Sequence, residues 1–306
     1  MSDNKHSQDE AMTRRGFLCG AAAAIAGASA IAAGCVPAST APGHQQSSEA
    51  RALDDPSITH GKVEFKSGDH LVDGYLARPV KKGRYPAVIV LPGNWITEPY
   101  IPETTAILAQ GGLVGMVVNT FYLFPKRATF EESKQVPWEE TQKILREQIT
   151  DELIYRDTQA GVEFLKSQPF VKKGKQGVMG FCFGGRNALL FAARSPDIGA
   201  VVPFYGPVVP FQGTTREERP KQPLDPDVVR QIRVPVQGHY GTKDRNIALS
   251  EVKQFEQALR AQRTPVEIYT YEAEHGFFAY NRPTYRRDDA HLARERMLAF
   301  FKKHLK

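Results

Sequence analysis

The stretch that most constrains this chain is residues 175–190, Lys-Gln-Gly-Val-Met-Gly-Phe-Cys-Phe-Gly-Gly-Arg-Asn-Ala-Leu-Leu. An apolar, strand-like run, Gly177-Val178-Met179, meets Gly180-Phe181-Cys182-Phe183-Gly184-Gly185, and a helix-like stretch follows over 186–194. A strand that turns sharply into a helix strains the residue at its tip. The positions two before and two after then have almost no room for a side chain. Gly180 and Gly184 meet that need around Cys182, and Gly185 lets the helix pack close to the strand. A lone cysteine is most often a small buried apolar group. In this glycine frame a nucleophile held at the tip of the turn fits better.

The rest of the folded part alternates strand and helix patterns. Partial alternation predicts a strand over 58–65, a turn at Ser67-Gly68-Asp69 and a second strand over 71–77, together a hairpin. The nearly continuous apolar run 85–91 predicts a central strand buried on both faces. A loop from Pro92 leads to a helix over 101–110, stopped by Gly111-Gly112, and to another buried strand over 113–118. Residues 121–137 read as a long loop. Leu145, Ile149, Leu153, Ala160 and Phe164 recur at helical spacing in a helix that begins near Trp138. After the Cys182 turn come a strand over 200–205, a Pro-rich charged excursion over 207–231 and a short strand over 234–238. A helix over 251–263, a strand over 266–271 and a terminal helix over 288–305 complete the chain. This pattern predicts an α/β fold, a mostly parallel central sheet with helices on both faces and an N-terminal β-hairpin. Functional residues then belong at the carboxyl ends of the strands.

The first 35 residues read as an export signal. Arg14-Arg15 precede Gly16-Phe17-Leu18 and a weakly hydrophobic Ala/Gly run, which resembles a twin-arginine signal. Ala32-Ala33-Gly34-Cys35 resembles a lipobox, with Ala32 where Leu is preferred. Lipidation of Cys35, as a lipid anchor to the membrane, and plain signal cleavage both fit. Residues 36–57, rich at first in Pro, Ser, Ala and Gln, read as a tether, and 58–306 as one domain. The localisation expected is export to the periplasm or envelope, with the twin-arginine machinery as a partner. After processing, Cys182 is the one thiol left in the globular part, so no intramolecular disulfide is expected.

Composition excludes little beyond this. The chain has 306 residues, 41% hydrophobic, enough for one sizeable core. A formal net charge of +6 raises nucleic acid as a partner, but no Lys/Arg run exceeds two residues, so no nucleic-acid partner is expected.

Two further stretches carry chemistry. Gly241-Thr242-Lys243-Asp244-Arg245 follows the 234–238 strand, and Ala273-Glu274-His275-Gly276-Phe277 follows the 266–271 strand. Nucleophile, acid and histidine in that order, each after a strand, match the α/β-hydrolase order. His275 suits the base that takes the Cys182 proton and the acid that serves the leaving alcohol. Asp244 suits the carboxylate that orients the imidazole, ahead of Asp225 and Asp227 in the Pro-rich excursion. The backbone N–H of Phe183 and that of Asn94 suit an oxyanion hole. Trp95, Tyr122, Lys126, Arg127, Phe277 and Arg282 are candidates for substrate contacts, with core packing the plainer role for the aromatic ones and terminal-segment anchoring for Arg282.

Gly180–Gly185, Val202-Pro203-Phe204-Tyr205-Gly206, the Asp244 loop and Glu274-His275-Gly276-Phe277-Phe278 with Arg282-Pro283-x-Tyr285 together resemble the dienelactone hydrolase (carboxymethylenebutenolidase) family over about 58–306. The resemblance implies hydrolysis of small esters or lactones through a thiol ester, with no metal and no cofactor. Two departures stand out. Gly93 occupies the place of a family Glu that helps activate the thiol, with Glu98 nearby in sequence. The prototype's two substrate-carboxylate arginines fall near Phe124 and Ala279, with Lys126, Arg127 or Arg282 as substitutes. These losses leave a non-catalytic ligand-binding module on a degenerate hydrolase scaffold as the alternative.

Overall fold

The computed structural model describes residues 51–93, 98–120, 139, 143, 149–207 and 226–306. The export signal with Cys35, and Asn94, Trp95, Tyr122, Phe124, Lys126, Arg127 and Asp225, lie outside the described residues.

Eight strands form one sheet: β1 (Ile58–Ser67), β2 (His70–Pro79), β3 (Ala87–Leu91), β4 (Val114–Val118), β5 (Gln176–Phe181), β6 (Ile198–Phe204), β7 (Val236–Gly241) and β8 (Val266–Tyr271). Their order is β1-β2-β4-β3-β5-β6-β7-β8. β1 and β2 form the expected antiparallel hairpin, and β2 also runs antiparallel to β4; all later pairings are parallel. The expected α/β-hydrolase architecture is the one observed.

The helices are α1 (Tyr100–Gln110), α2 (Asp151–Ser167), α3 (Phe183–Arg194), α4 (Pro226–Gln231), α5 (Leu249–Ala261) and α6 (Arg287–His304). A parallel strand buried on both faces needs apolar residues at every position, and β3 shows why. Val88 and Val90 join a core with α1 and α6, while Ala87, Ile89 and Leu91 join a core with α2, α3 and α5. The sheet thus separates two apolar layers.

Three expectations need correction. The long helix from Trp138 does not run through 149–150. Ile149 and Thr150 are non-helical, and the Thr150 side chain accepts the Leu153 N–H at 3.1 Å as the N-cap of α2. Asp151 and Glu152 follow in the first turn, where carboxylates favour the helix dipole. The tether also ends earlier than residue 57. Ala52–Asp54 form a 3₁₀ turn against α1, Ala52 is buried, and its N–H donates to the Glu103 carboxylate. Finally, residues 226–231 at the end of the expected excursion are the short helix α4.

Candidate active site

Cys182 sits between β5 and α3 with φ 53° and ψ −119°, a conformation L-residues rarely adopt, and it is half-buried. Such strain costs of order 1–3 kcal/mol and persists only where surroundings enforce it. They do so here by close approach. A Cβ on Gly180 would lie 2.1 Å from the Gly184 carbonyl oxygen, and one on Gly184 would lie 2.2 Å from that of Leu91. The Cys182 N–H donates to the Phe204 carbonyl at 3.0 Å, which locks the turn to β6.

The three expected chain-distant residues are brought together. Asp244 lies just past β7 and His275 just past β8. His275 Nδ1 is 2.8 Å from Asp244 Oδ2. The other Asp244 oxygen, Oδ1, accepts the N–H groups of Asn246 (2.7 Å) and Ile247 (3.2 Å), which fixes the carboxylate. Its rival Asp227 is exposed on α4 and paired with Arg230. With Nδ1 turned to Asp244, the remaining imidazole nitrogen is left for the sulfur, and the Cys182 and His275 charges act on each other.

The electrostatics favour an ion pair. Burial pushes the Cys182 thiol up. The imidazolium of His275, the hydrogen bonds from His275 and from the Phe183 N–H, and the Arg282 charge outweigh it and bring the thiol below its ordinary value. Burial likewise pushes His275 down, but the Cys182 thiolate and the Asp244 carboxylate outweigh it and hold the imidazolium up to about 10. Both shifts have the sign of a resting thiolate–imidazolium pair at the N-terminus of α3, where the helix dipole adds to it.

Glu98 is the residue the sequence left in doubt. It is 1% exposed, and Arg282 grips it at two points: Nε donates to Oε2 at 3.0 Å and Nη2 donates to Oε1. Burial alone would lower the Arg282 guanidinium. The Glu98 hydrogen bond and charge, with Tyr100 and Tyr205 nearby, hold it well above its ordinary value. Arg282 is therefore engaged by a carboxylate of the protein through Nε and Nη2. A Cβ on Gly93 would lie 3.7 Å from that of Cys182 and 3.9 Å from the Tyr100 hydroxyl. Position 93 faces the nucleophile but carries no carboxylate; the Glu98 carboxylate, five residues further on, is paired with Arg282.

Phe277 is also corrected. It has no exposed surface and packs behind the site against Tyr205 and Tyr271, with ring centroids 5.6 Å and 4.9 Å away. Tyr205 stood in the Val202–Gly206 stretch that carries the family resemblance, but no site role was assigned to it. It has φ 36°, its ring stands edge-on to His275 at 4.9 Å, and its buried hydroxyl has no hydrogen-bond partner among the described residues. Its place directly after β6, at the carboxyl edge of the sheet, was the available signal. His239 is a fully buried core residue. It is stacked on Phe204 and bonded to the Tyr271 hydroxyl at 2.8 Å, and burial with the Arg296 charge holds it neutral, at about 3.

Comparison with known proteins gives this geometry a family. The sequence profile described as the Dienelactone hydrolase family matches residues 72–305. The chain belongs to the dienelactone hydrolase family. A Bradyrhizobium protein named "Probable 2-oxo-3-(5-oxofuran-2-ylidene)propanoate lactonase" is 33% identical over 232 residues, covering 76% of this chain and 89% of its own. A Methylorubrum extorquens protein assigned the name carboxymethylenebutenolidase is 28% identical, covering 83% of this chain and 84% of its own. Among solved structures, one assigned as a dienelactone hydrolase from Klebsiella pneumoniae superposes with a TM-score of 0.71 at 27% identity. It covers 81% of this chain and 99% of that one. The dienelactone hydrolase match thus spans the sheet from Val72 in β2 onward, the Cys182 turn and the His275 loop.

Proposed function

We propose that this protein hydrolyses small carboxylic esters or lactones through a Cys182–His275–Asp244 triad. The observation that carries the reading is the 2.8 Å contact of His275 with Asp244, together with the strained Cys182 turn held by glycines at the carboxyl end of β5. Family membership and the lactonase and carboxymethylenebutenolidase names of relatives support the same reaction class.

The steps follow from the resting ion pair. The Cys182 thiolate attacks the ester carbonyl carbon, and the carbonyl electron pair moves to oxygen. The Phe183 N–H, with that of Asn94, is placed in the role of stabilising this oxyanion. Collapse expels the leaving oxygen, which takes the proton of His275. This yields a thiol ester and a neutral imidazole. His275 then takes a proton from water as the water attacks the thiol ester. The acid leaves, and the thiolate–imidazolium pair is restored. Asp244 keeps the imidazole in the tautomer that serves both half-reactions.

Turnover of a small activated ester by wild type and by Cys182→Ala tests the reading. Loss of about 10³-fold or more in kcat/KM is expected for the variant. Equal rates would sink it, and ligand binding without turnover across an ester and lactone panel would favour the non-catalytic alternative. We also propose export to the cell envelope, supported by Arg14-Arg15 and the run to Cys35. Intact mass of the protein from a cell-envelope fraction tests it: retention of residues 1–35 there would refute processing.

A further inference from the structure

Positive charge gathers at the end of the sheet opposite Cys182. Lys81, Lys82 and Arg84 lead into β3, and Lys172, Lys173 and Lys175 lead into β5, with no Asp or Glu over 78–86 or 170–176. The two loops are joined. The Tyr85 N–H donates to the Phe170 carbonyl and the Lys172 N–H to that of Tyr85, both at 2.9 Å. The Tyr85 hydroxyl donates to the Lys81 carbonyl at 2.8 Å. The end of α6 brings Lys302 and Lys306 to the same place. A Cβ on Gly177, at the start of β5, would lie 2.9 Å from Leu305, and one on Gly174 would lie 3.8 Å from the Lys306 carbonyl oxygen. The six loop cations are exposed, and none is ion-paired among the described residues. Asp197 and Glu267, near the starts of β6 and β8, are already countered by Lys166 at 2.7 Å and Lys303 at 3.4 Å. Against the patch stand Asp55, bonded to Gln110, and the terminal carboxylate. Val80, 52% exposed, adds an apolar side chain beside Lys81.

We propose that this basic end of the sheet docks the protein on an anionic lipid bilayer, with Cys182 turned away from the lipid. Like charges crowded on one face repel each other, and an anionic surface outside the molecule relieves that repulsion. Lysine dominates the patch. Its flexible point charge suits many mobile headgroups in a plane, whereas fixed bidentate recognition of one phosphate favours arginine. The six loop cations sit on no helix that could enter a groove of duplex nucleic acid. Val80 is placed to enter the headgroup layer with Lys81 and Lys82 around it. The orientation follows from the parallel strands. The cations precede β3 and β5, while Cys182, Asp244 and His275 follow β5, β7 and β8. The length of β5 separates the two ends by roughly 20 Å. Docking therefore leaves the site open to the aqueous side. This surface goes beyond the hydrolytic reading and does not depend on it.

Co-sedimentation of the full chain with vesicles tests the surface. Phosphatidylcholine vesicles containing phosphatidylglycerol are compared with phosphatidylcholine alone. Wild type is expected to prefer the anionic vesicles and to be released as ionic strength rises. The triple variant Lys81→Gln, Lys172→Gln, Lys173→Gln is expected to lose about hundredfold in affinity, at about fivefold for each lysine. A control with the same change in charge, Lys62→Gln, Lys66→Gln, Lys253→Gln, alters exposed lysines on β1 and α5 and should bind as wild type does. The leader is identical in all of these proteins, so differences among them report the folded surface. No preference for anionic vesicles in wild type overturns the proposal. So does a triple variant that binds as wild type, or a control weakened as much as the triple variant. A DNA duplex bound more tightly than the anionic vesicles at equal ionic strength would assign the patch to nucleic acid and also overturn it. Iodoacetamide alkylation read at Cys182 should be as fast on the anionic vesicles as in solution; a site blocked by the lipid refutes the orientation. The hydrolytic reading is judged separately. If no ester is turned over while the vesicle results hold, hydrolysis fails and the docking surface stands.

Discussion

At the scale of single residues, Cys182 and His275 perturb each other in opposite directions, and that has a pH signature. The thiol lies below its ordinary value and the imidazolium is raised to about 10. Reactivity that depends on the thiolate is gained as pH rises through the lowered thiol value. Reactivity that also needs the imidazolium proton is lost as pH rises through about 10. Alkylation by iodoacetamide is therefore expected to gain its rate at lower pH than an ordinary thiol with a value near 8.5 does. In His275→Ala the gain should move up towards that of a free thiol. A wild-type profile that matches a free thiol, or a variant profile that matches wild type, would contradict the ion pair. The positions Cys182, Asp244 and His275 were legible because each has a local signature at the end of a strand. The Glu98–Arg282 pair was not, because two irregular loops 184 residues apart meet there, and no periodic pattern encodes that meeting.

At the scale of elements, the helix carrying the Phe183 N–H is held from behind. Arg186 in α3 is 4% exposed and donates to both oxygens of Asp151 in the first turn of α2, at 2.7 Å and 3.0 Å. Removing the carboxylate strands a buried cation, which is worse than removing both charges. Asp151→Ala is expected to lower unfolding stability by about 2 kcal/mol, less than for a fully enclosed pair because Asp151 is partly exposed. Arg186→Met, which refills the volume, should lose less. Urea midpoints of the two variants check the order, and the reverse ranking would refute it. Element existence was readable from hydrophobic period, and β8 was read to the residue. The start of α2 was missed because Leu145, Ile149 and Leu153 carry a helical period straight through Thr150. The cap signal Thr150-Asp151-Glu152 lay in the sequence, but the period outweighed it.

At the scale of the whole molecule, the sheet makes two separate cores, and only one of them abuts the His275 loop. The strand order was not readable, since alternating strands and helices fit several parallel orders. The two-faced burial of β3 was readable, since it needs only an unbroken apolar run. α6 closes one core by filling dents left by glycines. A Cβ on Gly177 would lie 2.7 Å from the Phe301 ring, and Phe301 itself is fully buried. Phe301→Ala should therefore cost about 3–5 kcal/mol of stability in chemical denaturation. Its alkylation profile should keep the wild-type shape while the protein is folded, because Phe301 touches none of the reacting groups. A profile altered along with stability would mean that this core and the site are one cooperative unit.

The 3₁₀ turn at Ala52–Asp54 bears on how the protein should be handled. The Arg51 charge acts on Tyr280 in the loop that also holds Arg282, and the Ala52 N–H is spent on Glu103 in α1. A fusion or a trimmed form that begins at the first strand would strip these clasps and expose the apolar surface that Ala52 covers. The natural place to cut or attach a tag is upstream of Arg51, where the seam between α1 and the Arg282 loop stays stitched.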